Sequence, residues 1–141
     1  MILYVDTSAL VPLLVEEPTS AQCGELWDAA DRVASTRLAY VEAVAALGQA
    51  ARMGRLTVGE VHDARAVLDE LWSAVDVIEV DQTLMSSAAD LAIAHGLRGY
   101  DATHCAAAIA VSDAELVAAS GDTRLLAAWA AEGVASCRTS A

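Results

Sequence analysis

The alternation of short apolar segments with longer helical ones constrains the fold of this chain more than any other feature. The segment Ile2–Val5 is apolar throughout rather than at alternate positions, which is typical of a strand buried on both faces of a sheet. Further candidate strands cover residues 32–35, 75–80 and 115–119, and residues 134–137 form a candidate edge strand. Strands that alternate with helices are typical of parallel sheets. The sequence therefore predicts an α/β fold with a central, mostly parallel sheet of four to five strands flanked by helices.

The segments between these strands carry helical patterns. Predicted helices cover residues 10–15, 20–31, 37–53, 57–73, 81–95, 101–112 and 122–132. Thr57 and Glu60 have the spacing of a capping box, and Asp81 stands at the N-cap position of its helix. No internal repeat, low-complexity linker or change in composition divides the chain, so residues 1–141 are predicted to form a single domain.

The charged residues exclude several classes of function. The 141-residue chain has 20 acidic and 8 basic side chains, a formal net charge of −12, and arginine at every basic position. The absence of lysine excludes a Walker-A phosphate loop and a Schiff-base enzyme. The acidity argues against a general nucleic-acid coat protein, which would be basic. A hydrophobic content of 56% in turn excludes a disordered acidic tail.

Signals for export and for membrane insertion are weak. Asp6 interrupts the apolar start of the chain, and no uncharged apolar stretch reaches the roughly 18 residues that a membrane span needs. The odd number of cysteines and the lack of a CxxC pair indicate free thiols in a reducing compartment: Cys23, Cys105 and Cys137. The histidines are scattered and predict no His-rich metal site: His62, His95 and His104. We therefore expect a cytoplasmic protein without a membrane partner.

Acidic residues occupy unusual positions in this pattern. Asp6 directly follows the first predicted strand and Asp122 follows the fourth, and the carboxyl ends of parallel strands form the ligand crevice of such sheets. Glu42 lies in an otherwise apolar helix, where a carboxylate is costly unless it is paired. Asp101 opens a further apolar helix. Simpler explanations stay open: helix or turn caps for the three aspartates, and a surface position for Glu42.

The four acids indicate more together than singly. Carboxylates that converge at a sheet edge raise one another's pKa, and a divalent cation would neutralise them. Oxygen ligands without His or Cys select hard ions such as Mg²⁺ or Mn²⁺. Because Mg²⁺ sites commonly include substrate phosphates, a phosphoryl substrate is expected.

Four motifs carry a resemblance to a known family. They are Tyr-Val-Asp-Thr-Ser-Ala-Leu at 4–10, Leu-Ala-Tyr-Val-Glu-Ala-Val at 38–44, Leu-Arg-Gly-Tyr-Asp-Ala-Thr-His at 97–104, and Leu-Val-Ala-Ala-Ser-Gly-Asp-Thr-Arg-Leu at 116–125. In this order and at these intervals, the chain resembles the PIN-domain ribonucleases, and specifically the VapC-type toxins of bacterial toxin–antitoxin pairs. The resemblance covers nearly the whole chain. It implies a PIN-like α/β/α sandwich.

The resemblance also implies roles for individual residues. The catalytic acids would be Asp6, Glu42, Asp101 and Asp122. Asp6, Asp101 and Asp122 would hold Mg²⁺ or Mn²⁺, while Glu42 would bind through water or orient the nucleophile. The supporting hydroxyl residues would be Thr7, Ser8 and Ser120. Arginines that flank the acids could contact RNA phosphates, although a surface ion pair or helix-end charge explains each as well: Arg37, Arg98 and Arg124.

The chain departs from the family pattern at two positions. Gly121 stands where a small apolar residue such as alanine is common, and we expect it to loosen the backbone without removing a ligand. Thr123 stands where some members carry a further acid, which implies a weaker second metal site.

The activity implied by the resemblance is cleavage of RNA by metal-activated water, which leaves a 5′-phosphate and a 3′-hydroxyl. A VapB-type antitoxin would dock on the helical pair at 37–72, and a homodimer is expected, although core packing also explains many apolar residues there. Haloacid-dehalogenase-type phosphatases and phosphoacceptor receiver domains need a lysine that is absent here, and the former also need an aspartate where Ser8 stands. A catalytically silent PIN-like binding module remains the alternative. The sequence does not distinguish tRNA, rRNA and mRNA as targets.

Overall fold

A computed structural model describes residues 1–140, and Ala141, the last residue of the predicted domain, lies outside them. Within this range five strands are present: β1 (Ile2–Val5), β2 (Arg32–Thr36), β3 (Val75–Ile78), β4 (Leu116–Ser120) and β5 (Ser136–Arg138). Their order in the sheet is β3-β2-β1-β4-β5, and every pairing is parallel. This confirms the predicted α/β fold. The central position of β1 brings its carboxyl end beside those of β2 and β4.

Helices connect the strands. They are α1 (Thr7–Leu10), α2 (Ser20–Ala29), α3 (Leu38–Arg52), α4 (Val58–Trp72), α5 (Gln82–His95), α6 (Gly99–Ala110) and α7 (Thr123–Ala131). The prediction of a helix over 10–15 is wrong, because α1 begins directly after β1 and continues as a 3₁₀ turn, Val11–Leu13. The predicted start at Asp101 is also wrong, because α6 begins at Gly99. Asp101 therefore lies in the first turn of α6 and is not its N-cap.

Local chemistry sets several helix ends as predicted. Thr57 and Glu60 form the capping box of α4, with each side chain accepting a hydrogen bond from the other residue's backbone N–H. Asp81 caps α5 by accepting a hydrogen bond from the backbone N–H of Leu84. Gly96 ends α5 in the left-handed region, at φ 63°, which glycine adopts without a Cβ penalty.

The two faces of β1 pack against different groups of helices. Tyr4 is fully buried in a core built with α5, α6 and α7 and closed by Trp129. Leu3 and Val5 point to the opposite face and pack with Ala9 of α1 and with α2. A smaller cluster joins α1 to α3 and α4 and comprises Leu10, Ala39, Ala43 and Leu68. Because β1 is held on both faces, the residue that follows it has a well-defined position.

The cysteines are unbridged. Cys23 and Cys105 are buried and Cys137 is half-buried. Within the described 1–140 range, no helix combines the length and the apolar character that a membrane crossing requires.

Candidate active site

Asp6 lies at the carboxyl end of β1 and is only 5% exposed. Its Oδ1 accepts hydrogen bonds from Ser8 Oγ at 2.6 Å and from the backbone N–H of Ala9 at 3.1 Å, which caps α1. Its Oδ2 accepts a hydrogen bond from Ser120 Oγ at 2.6 Å. Burial raises the pKa of Asp6 above its usual range, although the two serine hydroxyls act in the opposite direction. The cap explanation for Asp6 is thus correct, but it accounts for only one of these bonds.

The loop between β4 and α7 is tied to the same carboxylate. Ser120 Oγ also accepts a hydrogen bond from the backbone N–H of Asp122 at 2.9 Å, and Ser8 Oγ accepts one from Gly121 N–H at 2.9 Å. Asp122 caps α7 through Oδ1, which accepts from the N–H of Leu125 at 2.9 Å. This cap uses one of the two carboxylate oxygens of Asp122. The serine hydroxyls therefore join the ends of β1 and β4 and set the position of a second acid.

Asp101 approaches from α6 with a side chain that is 17% exposed. Burial raises its pKa, and the negative charges of Asp122 and Asp6 raise it further. The guanidinium of Arg98, with Nε 3.8 Å from Oδ2, offsets only part of this effect. Asp101 therefore lies within electrostatic range of the other two predicted aspartates. An open pocket of about 530 Å³ lies beside them, lined by Arg98, Asp101, Gly121, Asp122, Thr123 and Arg124.

Glu42 is half-buried and paired, which rules out the simple surface explanation. Its Oε1 accepts a hydrogen bond from Thr7 Oγ1 at 2.8 Å and lies 2.7 Å from Nε2 of His104. Burial raises the pKa of Glu42, but the interactions with His104 and the hydrogen bond from Thr7 outweigh it, so the net pKa is lowered. Thr7, predicted as a supporting residue, thus contacts one acid directly.

His104 and Tyr4 belong to this site, although the sequence assigned them no role. His104 is 2% exposed, and its Nδ1 lies 2.8 Å from the Tyr4 hydroxyl. The scattered histidines gave no metal-site signal, but His104 follows Asp101 by three residues. Residues at that spacing share one side of a helix. The spacing between Asp101 and His104 is therefore the sequence signal that could have placed His104 at this site.

The structure separates the three predicted phosphate-contacting arginines. Arg98 and Arg124 line the pocket beside the acids, and the Arg98 guanidinium lies 5.3 Å from the ring centroid of Tyr100. Arg37 instead pairs with Glu79 and lines a separate apolar groove. A further cation, Arg138 at the end of β5, donates from Nη1 to Thr123 Oγ1 at 3.3 Å. For Arg37, the structure therefore shows the surface ion pair that was one of the alternatives to a phosphate contact.

Gly121 allows a close approach of two chain segments. A Cβ at this position would lie 3.2 Å from the backbone oxygen of Thr139, which is tighter than ordinary van der Waals contact. Thr139 is held there because its N–H donates to the Ser120 carbonyl at 3.0 Å. Gly121 therefore has a packing role that the sequence did not indicate.

The donor chemistry of the three aspartates fits a hard divalent cation. Among residues 1–140, no three His, Cys, Asp or Glu side chains lie close enough together to hold an ion directly. Mg²⁺ commonly uses only one or two carboxylates, keeps several waters and adds substrate phosphates, so a looser arrangement is compatible with it. Burial is the main cause of the raised pKa values of Asp6 and Asp101, and a nearby cation would favour the ionised form of both carboxylates. These residues therefore fit Mg²⁺ or Mn²⁺.

Curated relatives share long stretches of this sequence. Ribonuclease VapC45 of Mycobacterium tuberculosis strain CDC 1551 is 45% identical over 124 residues, which cover 88% of this chain and 86% of the relative. Ribonuclease VapC49 of M. tuberculosis strain H37Rv has the same identity and coverage. Ribonuclease VapC3 of Pyrobaculum aerophilum is 34% identical over 110 residues, or 77% of this chain and 82% of the relative.

Solved structures share the fold. PAE2754 from P. aerophilum superposes with a TM-score of 0.70 at 26% identity, covering 96% of this chain and 83% of that one. VapC20 of M. tuberculosis, a toxin that cleaves the sarcin-ricin loop, has a TM-score of 0.70 at 21% identity, with coverage of 89% and 94%. A toxin–antitoxin complex from Klebsiella pneumoniae has a TM-score of 0.63 at 18% identity, with coverage of 89% and 90%. At these identities, the similarity to VapC20 and to the K. pneumoniae complex shows a shared fold alone.

A family model described as the PIN domain matches residues 3–129, which include all four predicted catalytic acids. The match begins within β1, includes β2 to β4 and ends within α7. Together with the extent of the VapC similarity, it shows that this chain belongs to the PIN-domain family, in the group formed by the VapC proteins.

Proposed function

We propose that this protein is a metal-dependent endoribonuclease that acts as the toxin of a type II toxin–antitoxin pair. The observation that carries the proposal is the junction of β1 and β4, where Ser120 holds Asp6 and positions Asp122, while Asp101 approaches from α6. The 45% identity to proteins named ribonuclease VapC supports the assignment of RNA as substrate.

In this proposal Asp6, Asp101 and Asp122 surround Mg²⁺ or Mn²⁺, with one or two of these carboxylates binding the ion directly and the remainder through its waters. The ion, when bound, lowers the pKa of a coordinated water and offsets negative charge on the scissile phosphate. Ser8 and Ser120 keep the Asp6 carboxylate in one orientation through their 2.6 Å hydrogen bonds. The products are a 5′-phosphate and a 3′-hydroxyl.

Glu42 orients the attacking water in line with the scissile bond. Its lowered pKa keeps it ionised, so it accepts hydrogen bonds at neutral pH. Arg98 and Arg124, which line the pocket, contact the neighbouring phosphates of the strand. Recognition of RNA is therefore local, which suits a chain whose net charge is −12.

A VapB-type antitoxin is the proposed protein partner. Its docking region is the α3–α4 pair, where Met53 is 64% and Val58 is 73% exposed. A groove of about 480 Å³ beside these helices includes Glu60 and Asp63, which favour a basic antitoxin segment. The solved toxin–antitoxin complex from K. pneumoniae, which shares the fold, supports this kind of assembly. We also propose a homodimer and, from the unbridged cysteines, a cytoplasmic location.

The test is cleavage of total cellular RNA by purified protein freed of antitoxin. We expect cleavage with Mg²⁺ or Mn²⁺, 5′-phosphate ends on the fragments, and loss of cleavage with EDTA, Asp6→Asn or Asp101→Asn. Asp90→Asn is the matched control, because Asp90 is an exposed residue of α5. Cleavage that persists in EDTA and in both site variants would contradict the metal mechanism. A wild-type protein that cleaves no RNA would favour the silent PIN-like binding module instead.

A further inference from the structure

A continuous series of hydrogen bonds runs from the core of the protein to Glu42. The Tyr4 hydroxyl lies 2.8 Å from His104 Nδ1, and His104 Nε2 lies 2.7 Å from Glu42 Oε1. Tyr4 and His104 are 0% and 2% exposed, whereas the Glu42 side chain is 23% exposed. The series therefore begins in the apolar core between β1 and α6 and ends at the only one of its three members that reaches solvent.

The chemistry of the two end groups gives the series a direction. Tyr4 is 0% exposed, so its hydroxyl O–H needs an acceptor within the protein. His104 Nδ1 is at hydrogen-bonding distance and can accept it. The ionised Glu42 carboxylate can only accept, so His104 Nε2 must carry the hydrogen that lies between them. Tyr4 thus selects the histidine tautomer that donates to Glu42.

The donors of this series converge on one oxygen of Glu42. Thr7 Oγ1 donates to Oε1 at 2.8 Å, and His104 Nε2 contacts the same Oε1. Neither of these contacts uses Oε2. Two donors on Oε1 restrict rotation of the carboxylate and leave Oε2 as the oxygen that a water can approach.

We propose that His104 is a positioning residue for Glu42, which holds the Glu42 carboxylate in the orientation that directs the attacking water, with Tyr4 setting the tautomer. This inference rests on the proposed ribonuclease function. The role proposed for His104 goes beyond a structural one, because both of its ring nitrogens are hydrogen-bonded and one of them contacts Glu42, a half-buried acid of the site. The α6 helix then supplies both Asp101 and, one turn later, the group that orients Glu42.

The test compares a His104 variant that lacks the Nε2–H donor with a second variant that supplies another N–H donor in its place. His104→Leu fills the space but removes the Nε2–H, whereas His104→Gln retains an N–H at a similar distance along the side chain. We expect His104→Leu to lower kcat about tenfold or more with KM for RNA unchanged, and His104→Gln to recover most of the loss. His95→Leu is the matched control, since His95 pairs with Glu132 at 2.8 Å on α5 and has no assigned role in cleavage.

The outcomes separate this inference from the proposed function. Absence of cleavage by the wild-type protein would overturn the proposed function. Wild-type cleavage together with an equally active His104→Leu variant, or with equal losses in the Leu and Gln variants, would overturn only the positioning role. For variants that fail to fold, ¹⁵N-histidine NMR of the wild-type protein supplies the second measurement. We expect a hydrogen on Nε2 of His104, and an Nε2 without one would overturn the inference.

Discussion

Ser120 Oγ donates a hydrogen bond to Asp6 Oδ2 at 2.6 Å, and this contact joins the carboxyl ends of the neighbouring parallel strands β1 and β4. Ser120 is 0% exposed, so its hydroxyl cannot be replaced by water without rearrangement. The same Oγ accepts from the backbone N–H of Asp122. One hydroxyl therefore fixes the positions of Asp6 and Asp122, two acids that lie 116 residues apart in the chain.

Substitution Ser120→Ala should weaken both stability and cleavage. It removes the donor to buried Asp6 and the acceptor for Asp122 N–H, and such unsatisfied buried groups cost about 1–3 kcal/mol. We expect a decrease of that size in the free energy of unfolding measured in urea, together with a lower cleavage rate at saturating Mg²⁺. Ser86→Ala, at an exposed position of α5, is the matched control. Unchanged unfolding and cleavage in Ser120→Ala would show that the hydroxyl has no such role.

Substitution Asp101→Asn should abolish cleavage but stabilise the metal-free protein. The folded pKa of Asp101 is raised above its ordinary value of 3.8, so its contribution to stability is present below pH 3.8 and is lost as pH rises through the folded pKa. At pH 7 the ionised group therefore destabilises the fold through burial and through repulsion by Asp122 and Asp6. We expect a higher Tm for Asp101→Asn in EDTA. Mg²⁺ should raise the wild-type Tm more than that of the variant, and a lower Tm in EDTA would contradict this account.

Substitution Gly121→Ala should disturb the site through the backbone. The added Cβ would lie 3.2 Å from the Thr139 carbonyl oxygen, so either the end of β5 or the loop before Asp122 must shift. We expect reduced thermal stability and slower cleavage. Gly24→Ala is the matched control, because a Cβ there has no neighbour within 4 Å, and alanine in a helix interior is favoured over glycine by about 1 kcal/mol. Equal Tm changes in the two variants would contradict the packing role of Gly121.

Cys105 should be chemically inert and should make stability sensitive to alkaline pH. Burial raises its pKa from 9.0 to about 12, so stability from the protonated thiol is present below pH 9.0 and is lost as pH rises through about 12. We expect the free energy of unfolding to fall more steeply above pH 9.0 in the wild type than in Cys105→Ala. A thiol reagent at pH 8 should modify half-buried Cys137 before buried Cys105. Faster modification of Cys105 would show that its environment is open.

Parts of the site follow from the sequence because they depend on local signals. The uninterrupted apolar run Ile2–Val5 predicts a strand buried on both faces, and an acid directly after such a strand must lie at its carboxyl end. The same reasoning applies to Asp122 after β4. The start of α6 at Gly99 has no local signal in the sequence, because Arg98 provides no side-chain cap to mark it.

Local patterns in the chain thus account for the strands, most of the helices and the positions of Asp6, Glu42 and Asp122 relative to them, whereas Asp101 lies in the first turn of α6 and not at its start. Folding alone decides which groups orient those acids. Tyr4 and His104 are 100 residues apart, and His104 and Glu42 are 62 apart, so their hydrogen bonds leave no periodic trace in the chain. The close approach of Gly121 to Thr139 is likewise set by the pairing of β4 with β5. The physical reason is that strand and helix patterns reflect burial of neighbouring residues, whereas a hydrogen bond depends on two side chains meeting at a specific distance after the sheet has assembled.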